Sequence, residues 1–262
     1  SHGNAPEPSE GLVDLNSDVG ERSEALADGS EEELLKLITS ANIACGGHAG
    51  NEETMERVVR LAIKHGVRIG AHPSFPDREN FGRREMNLTF DEIRAAVTEQ
   101  VQALTVIAHK LNARIAHVKP HGALYNIAAR NARVAHAIAA GVGEVDNSLI
   151  LMGLAGSGML GVWRELGFRV AAEAFADRVY EPDGSLRLRK FPDALITDPD
   201  RAAQQALSIA RDGITTASDG SQLQIEAQTI CIHSDTPNAV AIARAVRRVL
   251  ETEGFRLKAT EG

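Results

Sequence analysis

Arg114-Ile-Ala-His-Val-Lys-Pro-His-Gly-Ala-Leu-Tyr-Asn126 begins as a strand and breaks at Pro120-His121-Gly122. With period two, Ile115, His117 and Lys119 share one face, while Ala116 and Val118 share the other. An imidazole and an ammonium on one face, backed by small apolar groups, imply polar work where a strand feeds a turn. That work needs partners from other strands.

Strands and helices alternate in both directions from this stretch. Upstream, Leu12–Asp18 reads as a strand with Val13 and Leu15 on one face and Asp14, Asn16 and Asp18 on the other. Ser30 is expected to cap a helix carrying Glu31–Glu33 in its first turn, where negative charge suits the dipole. A strand over Ser40–Cys45 ends in Gly46-Gly-His-Ala-Gly50, and Asn51 caps a helix that Gly66 ends. Val67–His72 is the third strand, followed by a loop over 73–87. Thr89 and Glu92 form a capping-box pattern opening a helix to about Leu111.

Downstream come a helix over 131–140, a strand over 148–152, a glycine-rich turn over 153–158 and a helix ending at Gly167. A strand over 168–175 leads into a loop over 176–194. Asp198-Pro199 starts the next helix, with proline at its first position. A turn at Ser218-Asp-Gly220 is expected to join a short hairpin. The seventh strand is Gln228–His233, and Thr236-Pro237 opens a last helix to Glu253. Such alternation implies a parallel sheet covered by helices. An open doubly wound sheet is the alternative. Regular single-helix crossovers and the chain length favour an α/β fold of one TIM-like (β/α)7 barrel over 12–262, with 1–11 a disordered tail or tag remnant.

The 262 residues suffice for one barrel-sized domain, and 43% hydrophobic with 24% charged residues is ordinary for a globular chain. A net charge of −8 argues against nucleic-acid or anionic membrane partners. No apolar run approaches the roughly 20 residues that span a bilayer. Residues 1–10 lack the basic and apolar regions of a secretory signal. Cys45 and Cys231 are too few for a disulfide framework and sit in apolar surroundings, so free buried thiols and a cytoplasmic location are expected.

Eight histidines follow His2, and five of them, His48, His72, His117, His121 and His233, fall at or just past a strand's C-terminal end. Parallel α/β folds build their sites there. Periodicity points Asp14, Asn16, Asp18, Asn42, Glu173, Cys231 and Asp235 into the same interior. Isolated ionised groups in a packed barrel are costly, so these groups must pair, bind ligand, or both. Blander uses compete: His117 as a satisfied core histidine, Asp14 and Asp18 as turn caps, Arg83 and Arg84 as solvated loop charge, the cysteines as packing. An inward Lys119 is rarely structural unless paired. His117 and His121 are four apart, but that spacing aligns two metal ligands on a helix, not across a strand and a proline turn. Gly153-Leu-Ala-Gly-Ser-Gly158 precedes a helix and could cradle an anion, yet it lacks the Lys-Ser/Thr ending of a Walker A loop. No G-x-S-x-G elbow occurs.

Seven blocks resemble the LamB/YcsF family: Asp14–Glu21, Ser40–Gly50, Gly70–Pro73, Phe81–Arg84, His117–Asn126, Glu173–Tyr180 and Cys231–Pro237. The resemblance runs from about Leu12 to Gly254. It implies a seven-stranded β/α barrel of the glycoside hydrolase/deacetylase type. Members are the A component of an ATP-dependent 5-oxoprolinase, which acts with B and C components to open the lactam of 5-oxo-L-proline to L-glutamate.

On this resemblance Asp14 or Glu173 is expected to orient water as general base, supported by His72. Lys119 and His121 stabilise a developing oxyanion or phosphate, and Arg83 and Arg178 hold a carboxylate or phosphate. Asn16, Asn42, His48, His117, His233 and Asp235 complete the expected substrate-binding set. ATP is the expected co-substrate, with magnesium as its companion and no protein metal ligand assigned. The expected partners are 5-oxoproline, ATP and the B and C subunits of 5-oxoprolinase, with homo-oligomerisation left open. The family usually has glycine at the position of Ser234, so a side chain there is expected to narrow the seventh strand's end or shift His233. The alternatives are a metal-dependent deacetylase or carbohydrate hydrolase using Asp14, His48 and His72 as ligands, and a non-catalytic lactam-binding protein.

Overall fold

The computed structural model describes residues 11–262, so the tail or tag remnant expected over 1–11 lies, but for Gly11, outside the described residues. Seven parallel strands close on themselves: β1 (Leu12–Val19), β2 (Ser40–Ala44), β3 (Arg68–His72), β4 (Ile115–Val118), β5 (Ile150–Leu154), β6 (Val170–Phe175) and, after an excursion, β9 (Thr229–Cys231). The excursion holds an antiparallel hairpin, β7 (Ile214–Thr216) with β8 (Gln222–Gln224). Closure is made by β9, which pairs Glu173 with Thr229 on one side and Asp14 with Thr229 on the other. A short β10 (Arg256–Leu257), not expected from the sequence, runs beside the leading end of β1 before β2 begins.

The helices supply the outer ring: α1 (Ser23–Ala27), α2 (Ser30–Leu35), α3 (Glu52–Lys64), α4 (Phe90–Lys110), α5 (Gly122–Ala128), α6 (Ala132–Val145), α7 (Gly158–Glu165), α8 (Pro199–Asp212) and α9 (Ala239–Thr252). Their apolar stripes bury Val58, Leu104, Ile138, Trp163 and Val246 against the outward faces of the strands, including Leu15, Ile43 and Leu151. Each such side chain is worth roughly 1.5–3 kcal/mol when removed from water. Asn51 caps α3 in a reciprocal box with Thr54, and Asp198 caps α8 with Pro199 behind it. Thr89 accepts the Glu92 amide at α4.

Three helix starts differ from the sequence reading. Gly29, at φ 83°, occupies the cap position of α2, and Ser30 is its first residue. The last helix begins at Ala239 behind Asn238, two residues past Pro237. The break at Pro120-His-Gly122 is itself the entry to α5.

Inside the barrel the walls divide by chemistry. Strands β5 and β6 contribute a dry cluster of Ile150, Met152 and Ala171. Strands β1 to β4 contribute Asp14, Asn16, Asp18, Asn42, His72 and His117, with Lys119 just past β4, and β6 adds Glu173, all buried. The polar half rises toward the C-terminal ends of the strands and opens there. No helix among the described residues is long and apolar enough to cross a membrane. Both thiols are free and buried.

Candidate active site at the barrel mouth

The β4 backbone carries the ladder past its last residue: the Lys119 amide donates to the Ala71 carbonyl at 2.9 Å and the His121 amide to the Pro73 carbonyl at 2.8 Å. Lys119 therefore points into the barrel at its upper layer, and His121 sits on its rim. Gly122 then turns with φ 57°, and a Cβ on it would lie 2.6 Å from the Gly82 carbonyl oxygen. Only glycine lets the 81–84 loop press this closely on the turn that aims His121.

The Lys119 ammonium meets Glu173 Oε2 at 2.6 Å and Asp18 Oδ1 at 3.2 Å, with Asn16 Oδ1 at 3.4 Å. The Tyr125 hydroxyl donates to the other Glu173 oxygen at 2.8 Å. Burial alone would push the Lys119 pKa down, but Asp18 and Glu173 hold it well above the ordinary lysine value. Burial would likewise raise Asp18, yet His72 and Lys119 keep it well below the usual carboxylate range. His72 Nδ1 donates to the Lys119 carbonyl at 2.7 Å, and its Nε2 lies 3.4 Å from Asp18. Burial opposes the charged ring, but the Asp18 charge wins and raises the His72 pKa. His121 Nε2 donates to the Phe81 carbonyl at 2.8 Å, which leaves its Nδ1 as acceptor, 3.0 Å from His72 Nε2. Burial, then the neighbouring His72 and His48, push His121 well below the usual imidazole range. Of the two rings, His72 is the one whose surroundings favour the protonated form.

Four residues crowd this rim. His48 Nε2 lies 2.6 Å from Glu21 Oε2, and the His48 ring stacks on His121 at 3.6 Å between centroids. Burial, then the His72 charge, push His48 down to about 2, while burial and Asp18 push Glu21 up to about 8. One donor atom each from Glu21, His48, His72 and His121 lies within 4.8 Å of the others, so the group could hold a metal ion.

Across the mouth, Asp177 organises a second imidazole. Its Oδ1 accepts from His233 Nδ1 at 2.8 Å and its Oδ2 from the His233 amide at 2.6 Å, with the Thr236 hydroxyl at 3.1 Å. The ring packs flat on Phe175 at 5.4 Å, leaving Nε2 for the cleft. Ser234 does not displace His233 from Asp177; the Ser234 carbonyl accepts from Arg22 at 2.8 Å. Arg178 is buried, gives one guanidinium nitrogen to the Arg187 carbonyl at 2.7 Å, and keeps Nε without a partner. Burial and the nearby Arg189 lower its pKa to about 10. Arg83 pairs with Asp235 at 2.6 Å. Arg83, Phe175, Arg178, His233 and Asp235 line one open cleft of about 1260 Å³, together with the 156–158 turn at the start of α7.

The expected site residues therefore fall into three groups. His72, Lys119, His121, Arg83, Arg178, His233 and Asp235 line the cleft. Glu173, His48, Asn16, Asn42 and His117 lie behind or beneath it: Asn42 bonds Asn16 at 2.9 Å and Asp18 at 3.0 Å, and His117 donates to Asn42 at 2.7 Å. They hold the cleft residues and are not placed to touch substrate. Burial, then the positive charges of Arg68 and Lys119, keep His117 neutral by lowering its pKa to about 3. Asp14 is not at the mouth. It lies roughly 13 Å down β1 from Asp18 and accepts from Thr39 and Ser40, and burial raises its pKa. A general-base role for Asp14, and the metal triad Asp14–His48–His72, do not fit this placement. His117 and His121 likewise do not converge. Glu21, Asp177, Tyr125 and Phe81 belong to the site although the sequence reading does not single them out. Asp177 continues the period of Glu173 and Phe175, which is a usable signal.

The model of the LamB/YcsF family matches residues 13–262. The chain belongs to the LamB/YcsF family. It is 49% identical over 246 residues to the A component of 5-oxoprolinase from Chloroflexus aggregans, covering 94% of this chain and 98% of that one. Among solved structures, it resembles a lactam utilization protein from Thermus thermophilus with TM-score 0.88 and 44% identity, over 95% of this chain and 100% of the other. A family 4 carbohydrate esterase from Streptomyces lividans shares the fold, at TM-score 0.50 and 13% identity over 97% and 94% of the two chains. The seven-stranded β/α barrel expected for a LamB/YcsF chain is thus the one observed.

Proposed function

We propose that this LamB/YcsF chain opens the lactam of 5-oxo-L-proline to L-glutamate, as the A component of an ATP-consuming assembly with B and C subunits. The observation that carries the reading is a buried ammonium, Lys119, sharing one cleft with a carboxylate-oriented imidazole, His233. The names of the relatives at 44–49% identity support the substrate class.

An unstrained lactam is a poor electrophile. Phosphorylation of its amide oxygen by ATP, with release of ADP, would make the ring carbon attackable. Water then adds at that carbon, the ring C–N bond breaks, the nitrogen takes a proton, and the γ-acyl phosphate of glutamate results; a second water cleaves it to glutamate and phosphate. In this scheme Arg178, with its unpartnered Nε, receives the substrate carboxylate. Lys119 faces the oxygen on which negative charge develops. His233, its Nδ1–H fixed by Asp177, takes the water proton on Nε2 and returns it to the leaving nitrogen. Glu173 is engaged by Lys119 and Tyr125, so it positions the ammonium and leaves the base role to His233. Nucleotide handling falls to B and C, since the 153–158 turn lacks a Walker lysine.

The variant Lys119→Met in the reconstituted complex tests this. Turnover is expected to fall by roughly a hundredfold or more, with binding of 5-oxoproline less affected. Full ATP-dependent turnover would remove Lys119 from its role.

A further inference from the structure

Glu21, His48, His72 and His121 come from four separate strand ends, yet their donor atoms meet. His48 Nε2 and Glu21 Oε2 are 2.6 Å apart, His72 Nε2 and His121 Nδ1 3.0 Å, and His121 Nδ1 and Glu21 Oε2 3.7 Å. A tetrahedral shell with bonds of about 2.0–2.1 Å has edges of about 3.3 Å, and the three separations straddle that value.

His72 and His121 turn their inner nitrogens toward each other, while each outer nitrogen donates to a backbone carbonyl, Lys119 at 2.7 Å and Phe81 at 2.8 Å. That is how second-sphere contacts fix the tautomer and aim of metal-ligating imidazoles. The backbone accommodates the rings closely: a Cβ on Gly82 would sit 3.0 Å from both His48 and His121.

We infer that Glu21 Oε2, His48 Nε2, His72 Nε2 and His121 Nδ1 bind one divalent transition-metal ion of the zinc class. Three imidazole nitrogens and one carboxylate oxygen suit zinc or cobalt. They do not suit magnesium, which takes oxygen ligands in octahedral geometry. Glu21, His72 and His121 line the cleft, so the ion would supply Lewis acidity beside Lys119. This goes beyond the lactam reading and stands independently of it, because metal binding is measured without substrate.

The full chain is stripped with EDTA and then titrated with zinc, and in parallel with cobalt as a spectroscopic probe. One equivalent per chain is expected, with the intense visible absorption of four-coordinate cobalt and a rise in the unfolding midpoint on adding zinc. His48→Ala and Glu21→Gln are each expected to weaken zinc binding at least tenfold, while keeping the circular dichroism and unfolding midpoint of the stripped wild type. Should His48→Ala not fold, His121→Gln serves in its place. Absence of stoichiometric zinc binding, or unchanged affinity in these variants, would overturn the inference. So would retention of zinc by His48→Ala with its loss in Cys231→Ser, which would assign the ion to Asp18, Cys231 and His233.

Discussion

At His233 the two ring nitrogens have different tasks, and Asp177 separates them. The carboxylate holds Nδ1–H on one oxygen and the backbone amide on the other, so the ring has one orientation and one available lone pair. An amide at position 177 offers a single acceptor and presents a donor to the other N–H. Asp177→Asn is therefore expected to lower kcat by roughly a thousandfold with little change in KM. A proportional rise in KM with kcat preserved would instead make the pair a substrate-binding device. Glu31 poses a different single-residue problem. It is buried with one oxygen accepting from the Gly20 amide and the other without a partner, and burial raises its pKa to about 7. Because the folded state holds this proton more tightly than the unfolded chain, stability falls as pH rises from about 4.5 to 7. The penalty reaches about 3 kcal/mol above that range. Denaturant unfolding of Glu31→Gln against wild type at pH 5 and pH 8 checks it: the variant should lose this part of the pH slope, and equal slopes would exclude it.

Along an element, the alternation of β4 is readable from sequence, and with it the inward aim of His117 and Lys119. Depth is not. Period two says which face a residue takes, while its height in a closed barrel depends on strand stagger, which no single strand encodes. Hence Asp14 and Asp18 read alike, although one is bonded to Thr39 and Ser40 at depth and the other lines the cleft. Glu21 escapes notice for another reason: Gly20, at φ 73°, ends the alternation just before it. The tight packing of β3 on β4 is equally hidden. Gly70 stands opposite His117, and a Cβ there would lie 2.1 Å from the imidazole. Gly70→Ala is expected to cost about 3 kcal/mol or to abolish soluble expression, since neither the ring nor the strand has room to yield. An unfolding midpoint equal to that of wild type would show that the interior is looser than the geometry indicates.

For the whole molecule, the barrel interior combines a small dry cluster with polar groups from the other strands and Glu173, and it ends in a cleft much larger than a five-membered lactam. The rim adds Arg83, Arg130, Arg187 and Arg189 around that opening, the first three paired with Asp235, Glu85 and Glu181, so the opening is lined by mixed charge. The family and the barrel are legible because they rest on strand–helix alternation and on long contiguous blocks. The division of labour within the proposed assembly rests on surfaces that a single chain does not pair. The central claim is that this chain completes lactam opening only within the ATP-consuming assembly. It is tested most directly by measuring glutamate formed from 5-oxoproline and ATP with the chain alone, with B and C alone, and with all three. Glutamate is expected only when all three are present, in step with ADP release. Equal glutamate formation by B and C without this chain, or by this chain without ATP, would contradict the account.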